Sequence, residues 1–294
     1  MPIRSAILIL NHVHDRHLVD LYHTLERECG AEHDVFLLSD RTRAGVSFAR
    51  MPAGVKEFRF ALSDLVALGY PGKQDIVLPG TNLRSLKLGN AELPVLLFRA
   101  RHDRYEHYWI VEYDVRFSGE WRRFFSAFDG SAADLLGTSL IRYADFPAWS
   151  HWRSLLIPGS TDDDERLRGF FPVYRISDAA LACLHEHYQK HCAGHMETLM
   201  PTLLHRSGLR LEDIGGDGEF VAPGNANRFY TNRRLTNELS PGSFVYRPSR
   251  TAPGHEPDML WHPVKPGTPF ALRLVNRLLR ELTPRMRAFS RSGD

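Results

Sequence analysis

Glu112 and Asp114 stand two residues apart at the end of the run Tyr108-Trp109-Ile110-Val111-Glu112-Tyr113-Asp114. Side chains alternate along an extended backbone, so this spacing sends both carboxylates to one side, where they can grip one hard cation. Mg²⁺ or Mn²⁺ takes oxygen ligands and commonly bridges a carboxylate or two to substrate phosphates. The chemistry to expect is metal-assisted departure of a diphosphate. On a surface strand the same spacing would be an ordinary solvated pair. The aromatic and aliphatic run in front of it argues for a site, because charge is unusual there outside a polar cleft.

Histidine offers two further patterns. His12-Val13-His14-Asp15-Arg16-His17 is similar to the HxHxDH zinc motif of metallo-β-lactamase-like hydrolases, but Arg16 stands where that motif needs Asp and Asp15 is displaced by one residue. Zinc needs a closed ligand set, and the further spaced histidines of such enzymes are not evident. His187, His191 and His195 recur every four residues and would share a face on one helix. With 15 histidines in the chain such spacing arises by chance, and Gly194 breaks the helix before His195.

A carboxylate pair at a strand end needs a sheet behind it. Residues 5–10 form an apolar run ending at Asn11, 18–28 read as a helix, and 34–38 as a second buried strand followed by Ser39-Asp40-Arg41-Thr42. Strand, helix, strand is how an α/β nucleotide-binding half begins. Asn11, His12 and Asp40 then fall just after the first two strands, where an open α/β sheet binds its nucleotide, or they cap the loops there. Residues 108–111 and 135–141 read as strands and 119–128 as a helix. Ser177 caps a helix over 177–189, with Leu181, Leu184 and Tyr188 at helical spacing, and Gly208 stops another over 196–207. Residues 69–94 and 215–250, rich in Gly, Asn and Pro, read as loops, 162–165 as a solvated acidic run, and 269–289 as a closing helix.

Composition narrows the class. A hydrophobic content of 43% with 24% charged residues fits a folded globular enzyme and excludes disorder. The net charge is only +2, with no long basic run interleaved with aromatics, which excludes nucleic acid as the main partner. Arg273, Arg277, Arg280, Arg285, Arg287 and Arg291 lie among apolar residues. They read first as a solvated helix face, and otherwise as a basic amphipathic helix in peripheral contact with anionic lipid. Cys29, Cys183 and Cys192 have no metal spacing and an odd count, which suits a reducing compartment. The first ten residues are too short for a signal peptide or a membrane span. The expected location is the cytoplasm, with the inner membrane face as a variant.

The segment HYWIVEYDVRFSGEW, with Gly194-His195-Met196-Glu197 and Trp261-His262-Pro263-Val264-Lys265, resembles a family of GT-A glycosyltransferase-like proteins of bacteria and fungi. The resemblance implies an α/β GT-A fold, a Rossmann-like and mostly parallel sheet flanked by helices. It implies one domain over 1–294, with a nucleotide-sugar-binding half (1–130), an acceptor-binding half (131–268) and a C-terminal helix (269–294). Glu112, standing where the family's first Asp usually stands, and Asp114 would hold Mn²⁺ or Mg²⁺. His262 would be a third ligand, and Lys265 would meet the diphosphate. Glu197, opening a helix after the acidic motif, would be the general base of an inverting transfer from a nucleotide diphosphate sugar to a hydroxyl of a saccharide or lipid-linked acceptor, a reaction of polysaccharide biosynthesis.

The residues by themselves leave other readings open. Glu197 could be a first-turn acid and no more, and His262 a loop histidine satisfied by backbone. Trp149, Trp152 and Phe171 could stack on acceptor sugar or fill the core. Two rival functions stand beside the transferase: a zinc-dependent hydrolase on His12, His14 and His17, and a non-catalytic saccharide-binding module.

Overall fold

The structure is a computed structural model and describes residues 5–42, 51–74, 89–159, 165–232 and 241–266. Along the chain come Ser5–Asn11 (β1), Arg16–Cys29 (α1), His33–Asp40 (β2), Glu57–Phe60 (β3), Leu62–Val66 (α2), Pro71–Gln74 (α3) and Leu93–Arg101 (α4). Then follow His107–Glu112 (β4), Arg116–Phe117 (β5), Trp121–Ser126 (α5), Leu135–Arg142 (β6), Leu167–Ser177 (β7), Asp178–Gln189 (α6), Met196–Arg206 (α7), Leu211–Asp213 (β8) and Leu260–Trp261 (β9). Seven strands form one sheet in the order β3-β2-β1-β4-β7-β6-β8, and only β7 runs against its neighbours. The α/β class and the mostly parallel sheet flanked by helices are both present.

Both faces of this sheet are covered, and alternation sorts its side chains between two apolar layers. In β1, Ala6 and Leu8 enter one layer and Ile7 and Ile9 the other; in β4, Tyr108 and Ile110 oppose Trp109 and Val111. α4, α6 and α7 supply the first layer, and α1 and α5 the second. Burial on both faces is why the strands read as continuous apolar runs. α1 shows its origin clearly: the Asp15 carboxylate accepts from the Leu18 N–H, and Leu18, Leu21, Tyr22 and Leu25 are buried at helical spacing.

The chain winds outward from β1 through β2 to β3, then returns to lay β4 on the other side of β1. Strand order reverses between β1 and β4, and the crevice beyond the carboxyl ends of two such strands is where open α/β sheets bind ligands. Asn11, Asp40 and Glu112 end these strands side by side.

Several elements depart from the sequence reading. β7 is an eleven-residue, wholly buried strand that was not expected, β3 and α2 were not expected either, α3 lies within the stretch read as loop, and α4 begins at its end. Trp149, Trp152 and Phe171 are buried, so they serve the core and not a sugar-stacking surface. His187 lies in α6 and His195 caps α7, with Gly194 at φ +144° between the two helices, so the three spaced histidines share no helix face. The closing helix with its arginines, the acids at 162–164, residues 75–88 of the first loop and 233–240 of the second lie outside the described residues. Among the described residues no helix is long and apolar enough to cross a membrane.

Candidate metal centre

β4 ends at Glu112, and Tyr113 and Asp114 continue as a turn in which the Val115 N–H donates to the Glu112 carbonyl at 3.0 Å. The two carboxylates therefore meet through a turn and not through strand alternation. Tyr113 N–H donates to the Leu10 carbonyl at 3.1 Å, which fastens the turn to the end of β1. Arg116 holds it from behind, donating to the carbonyls of Tyr113 (2.8 Å), Val115 (2.7 Å) and His17 (3.4 Å).

The next residues explain how a distant histidine arrives. β5 pairs antiparallel with β9, Arg116 opposite Trp261, so His262 emerges beside Asp114. Val264 N–H then donates to the Asp114 carbonyl at 2.7 Å. The His262 Nδ1–H donates to the Val245 carbonyl at 2.8 Å, which assigns the tautomer and leaves Nε2 facing Asp114 Oδ1 at 3.5 Å and Glu112 Oε2 at 3.7 Å. Lys265 Nζ stands 3.3 Å from Asp114 Oδ2.

Among the described residues, Glu112, Asp114 and His262 are the one group of three or more His, Cys, Asp or Glu able to hold an ion, with ligand atoms all within 4.8 Å of one another. The fit to a divalent cation rests on the donors themselves. Asp114 is buried and its Oδ1 has no hydrogen-bond partner, while the Glu112 side chain remains a third exposed and leaves one side open. Burial alone would push His262 down, but the adjacent Asp114 and Glu112 carboxylates overcome it and hold the ring at about 9. Burial would likewise raise Asp114, and His262 and Lys265 keep its carboxyl below the usual range. Two carboxylate oxygens and an imidazole nitrogen thus converge as a donor set that suits Mn²⁺ or Mg²⁺.

No family model matches this chain, and no curated protein does. Among solved structures, it is similar to the galactosyltransferase LgtC in complex with donor and acceptor sugar analogs, at 12% identity over 70% of this chain and 73% of that one, TM-score 0.40. It is also similar to mouse xyloside xylosyltransferase 1 (11%, 72% and 85%, TM-score 0.37) and to core-mannan synthase A from Aspergillus fumigatus in its Mn/GDP form (13%, 71% and 72%, TM-score 0.34). Likeness at this level says nothing of substrate or chemistry.

Glu197 lies in the first turn of α7, and His195 caps that helix by accepting the Glu197 N–H on Nδ1 at 3.3 Å. The Glu197 side chain is 19% exposed and, among the described residues, its carboxylate accepts no hydrogen bond. His195 Nδ1 is 4.0 Å away, but burial holds that ring neutral, down to about 3, so the two make no ion pair. Burial pushes Glu197 up to about 7, with Arg168 and His262 opposing and Glu112 reinforcing the rise. Glu197 therefore shares one electrostatic neighbourhood with the metal group.

The remaining sequence candidates divide. His12 packs its ring edge against Tyr113 at 4.8 Å, amid the charges of Asp114, Lys265, Glu112 and Asp40. Asn11 is buried, its amide donating to the carbonyls of Ile9 and Leu38 and to Ser39 Oγ, so it ties β1 to β2. Asp40 accepts from the Thr42 N–H and hydroxyl and thereby caps its own loop. His12, His14 and His17 form no metal-holding group. Sequence reasoning missed three residues: Tyr113, Arg116, and the buried Arg168, whose guanidinium lies 4.1 Å from the Trp149 ring centre. An Arg at the start of an apolar run was the available signal for Arg168.

Arg116 makes a prediction of its own. Replacing it with methionine leaves the ligands untouched but frees the turn that aims Asp114, and Mn²⁺ affinity is expected to fall by about 10–100-fold. Titration of free Mn²⁺ by electron paramagnetic resonance reads this directly. An unchanged affinity would show that the turn holds itself.

Proposed function

We propose that this chain is a metal-dependent glycosyltransferase of the GT-A type, moving a sugar from a nucleotide diphosphate sugar to a hydroxyl of a saccharide or lipid-linked acceptor with inversion. One observation carries the reading: Glu112, Asp114 and His262 converge beside the switch point of the sheet, and Glu197, in the first turn of α7, feels the charges of Glu112 and His262. In this reading residues 1–130 bind the donor and 131–268 the acceptor.

Bound there, Mn²⁺ or Mg²⁺ would neutralise the departing diphosphate. Lys265, whose side chain is 42% exposed, adds positive charge on the phosphate side. His12 and Asp40 border the donor's nucleoside end, and Asn11 holds the floor between β1 and β2. Glu197 removes the proton from the acceptor hydroxyl as that oxygen attacks, and its proton affinity near neutrality suits a general base. The positive charge of Arg168 limits the rise.

Calorimetric titration with UDP, GDP and CDP, with and without Mn²⁺, tests the reading. At least one should bind in a metal-dependent way, and Glu112→Ala should abolish that binding. If none of the three shows metal-dependent binding, the transferase reading is lost.

A further inference from the structure

A cavity of about 300 Å³ opens at the end of β6, lined by Leu140, Ile141, Arg142, Asp145, Gly218 and Glu219. We propose that it is a saccharide subsite, taking a neutral pyranose of the acceptor beyond the ring that reacts. This rests on the transferase reading, and three observations place and characterise it.

The first is position. β4 and β6 are each antiparallel to β7, so Glu112 and Arg142, at their carboxyl ends, belong to one edge of the sheet. Arg142 pairs with Leu167 on β7. Three residues further along that strand, the Phe170 ring lies 5.3 Å from the His262 ring. Those three residues span about 10 Å along β7 at about 3.3 Å per residue, so β7 joins the strand end that opens the cavity to the residues that pack on His262.

The second is the face of the sheet. Leu140 and Phe220, which lies under the Arg142 guanidinium at 5.6 Å, join the apolar layer to which α7 contributes. α7 carries Glu197. The proposed base thus sits on the same side of the sheet as the cavity.

The third is chemistry. Arg142 Nε donates to Glu219 Oε1 at 2.6 Å, and the Arg142 N–H donates to Asp145 Oδ2 at 3.3 Å. One guanidinium and two carboxylates line the opening beside Leu140 and Ile141, which suits a molecule rich in hydroxyls. Two carboxylates against one cation disfavour phosphate or a uronic acid. A volume at the low end of ligand pockets, about 300–1,000 Å³, suits one ring and not a nucleotide.

The wall offers a clean probe. A Cβ on Gly218 would lie 3.4 Å from the Leu140 carbonyl, an ordinary contact, so the backbone accepts a side chain there and Gly218→Leu is the substitution chosen to fill the cavity. Saturation-transfer NMR with methyl α- and β-glucopyranoside, galactopyranoside and mannopyranoside should show at least one binding the wild-type chain. In both Gly218→Leu and Arg142→Met that glycoside should bind about tenfold more weakly. Metal-dependent nucleoside diphosphate binding should be unchanged in the two variants, which also serves as the check on folding. The proposal fails if no glycoside binds, if binding survives both substitutions, or if inorganic phosphate displaces the glycoside. Should nucleoside diphosphates fail to bind the wild type while the glycoside still obeys both substitutions, the transferase reading falls and the saccharide site stands.

Discussion

Replacing Glu197 by glutamine is expected to lower turnover by about 10²–10⁴-fold, the range for losing a general base, and to leave metal and nucleoside diphosphate affinity unchanged. Glutamine keeps the size, the half-burial and the place in the first turn of α7, and removes only the capacity to take a proton. The pH dependence carries the same signature. Burial pushes the carboxyl up to about 7, and a base works ionised, so wild-type kcat/KM should climb through that region as pH rises. The glutamine variant should lack that limb.

Stability should move the opposite way. The folded state holds a proton on Glu197 between about 4.5, its ordinary value, and about 7. The folded chain binds more protons than the unfolded one over that window, so stability falls as pH rises across it, by on the order of 3 kcal/mol at about 1.4 kcal/mol per unit. The glutamine variant has no such loss and should melt above wild type near pH 8, and with it near pH 4. A slower yet more stable variant is what a functional carboxylate predicts. Wild-type turnover in Glu197→Gln would reduce this residue to a first-turn acid.

The legible parts of the sequence were those where burial on both faces writes itself into composition. β1 and β4 are short apolar runs ending in polar residues, and alternation places every one of their side chains. β7 was hidden by Pro172, which argues against a central strand. The structure tolerates it because the β4 ladder reaches only Val173, and the β6 ladder slips between Leu136 and Thr138. α4 was hidden by Pro94, read as loop punctuation where it marks the first turn of a helix. That helix is buried nearly all round, so no polar face gave it away.

The site was half legible for a similar reason. Glu112 and Asp114 are neighbours and declare themselves, although a turn and not strand geometry joins them. His262 reaches Asp114 through β5 and β9, two residues each, too short to leave a periodic pattern. Only the family resemblance pointed to it. Arg116 was within the segment that drew attention, but its work is done on carbonyls, and backbone acceptors leave no trace in side-chain spacing.

The second large effect is expected in the core, at Lys73. Its ammonium and the Glu92 carboxylate are both wholly buried and 2.6 Å apart. The same ammonium donates to Asn90 Oδ1 at 2.8 Å and the Gly194 carbonyl at 3.2 Å, and lies 4.5 Å from the Tyr188 ring centre. Tyr188 in turn donates to Glu92 at 3.0 Å. Lys73→Met strands Glu92 in a dry interior and should cost about 3–5 kcal/mol, lowering the melting temperature by about 6–20 °C at the 2–4 °C per kcal/mol of chains this large. Lys73→Met with Glu92→Leu should recover most of that, because an apolar pair replaces an ion pair at little net cost. Gly194 is followed by the cap and first turn of α7, and the Met196 N–H donates to the Gly89 carbonyl at 2.7 Å. The buried ion pair therefore fastens the loop that delivers Glu197. A double variant that regains stability but not turnover would locate the role of Lys73 in aiming that carboxylate. Full recovery of both would confine it to the core.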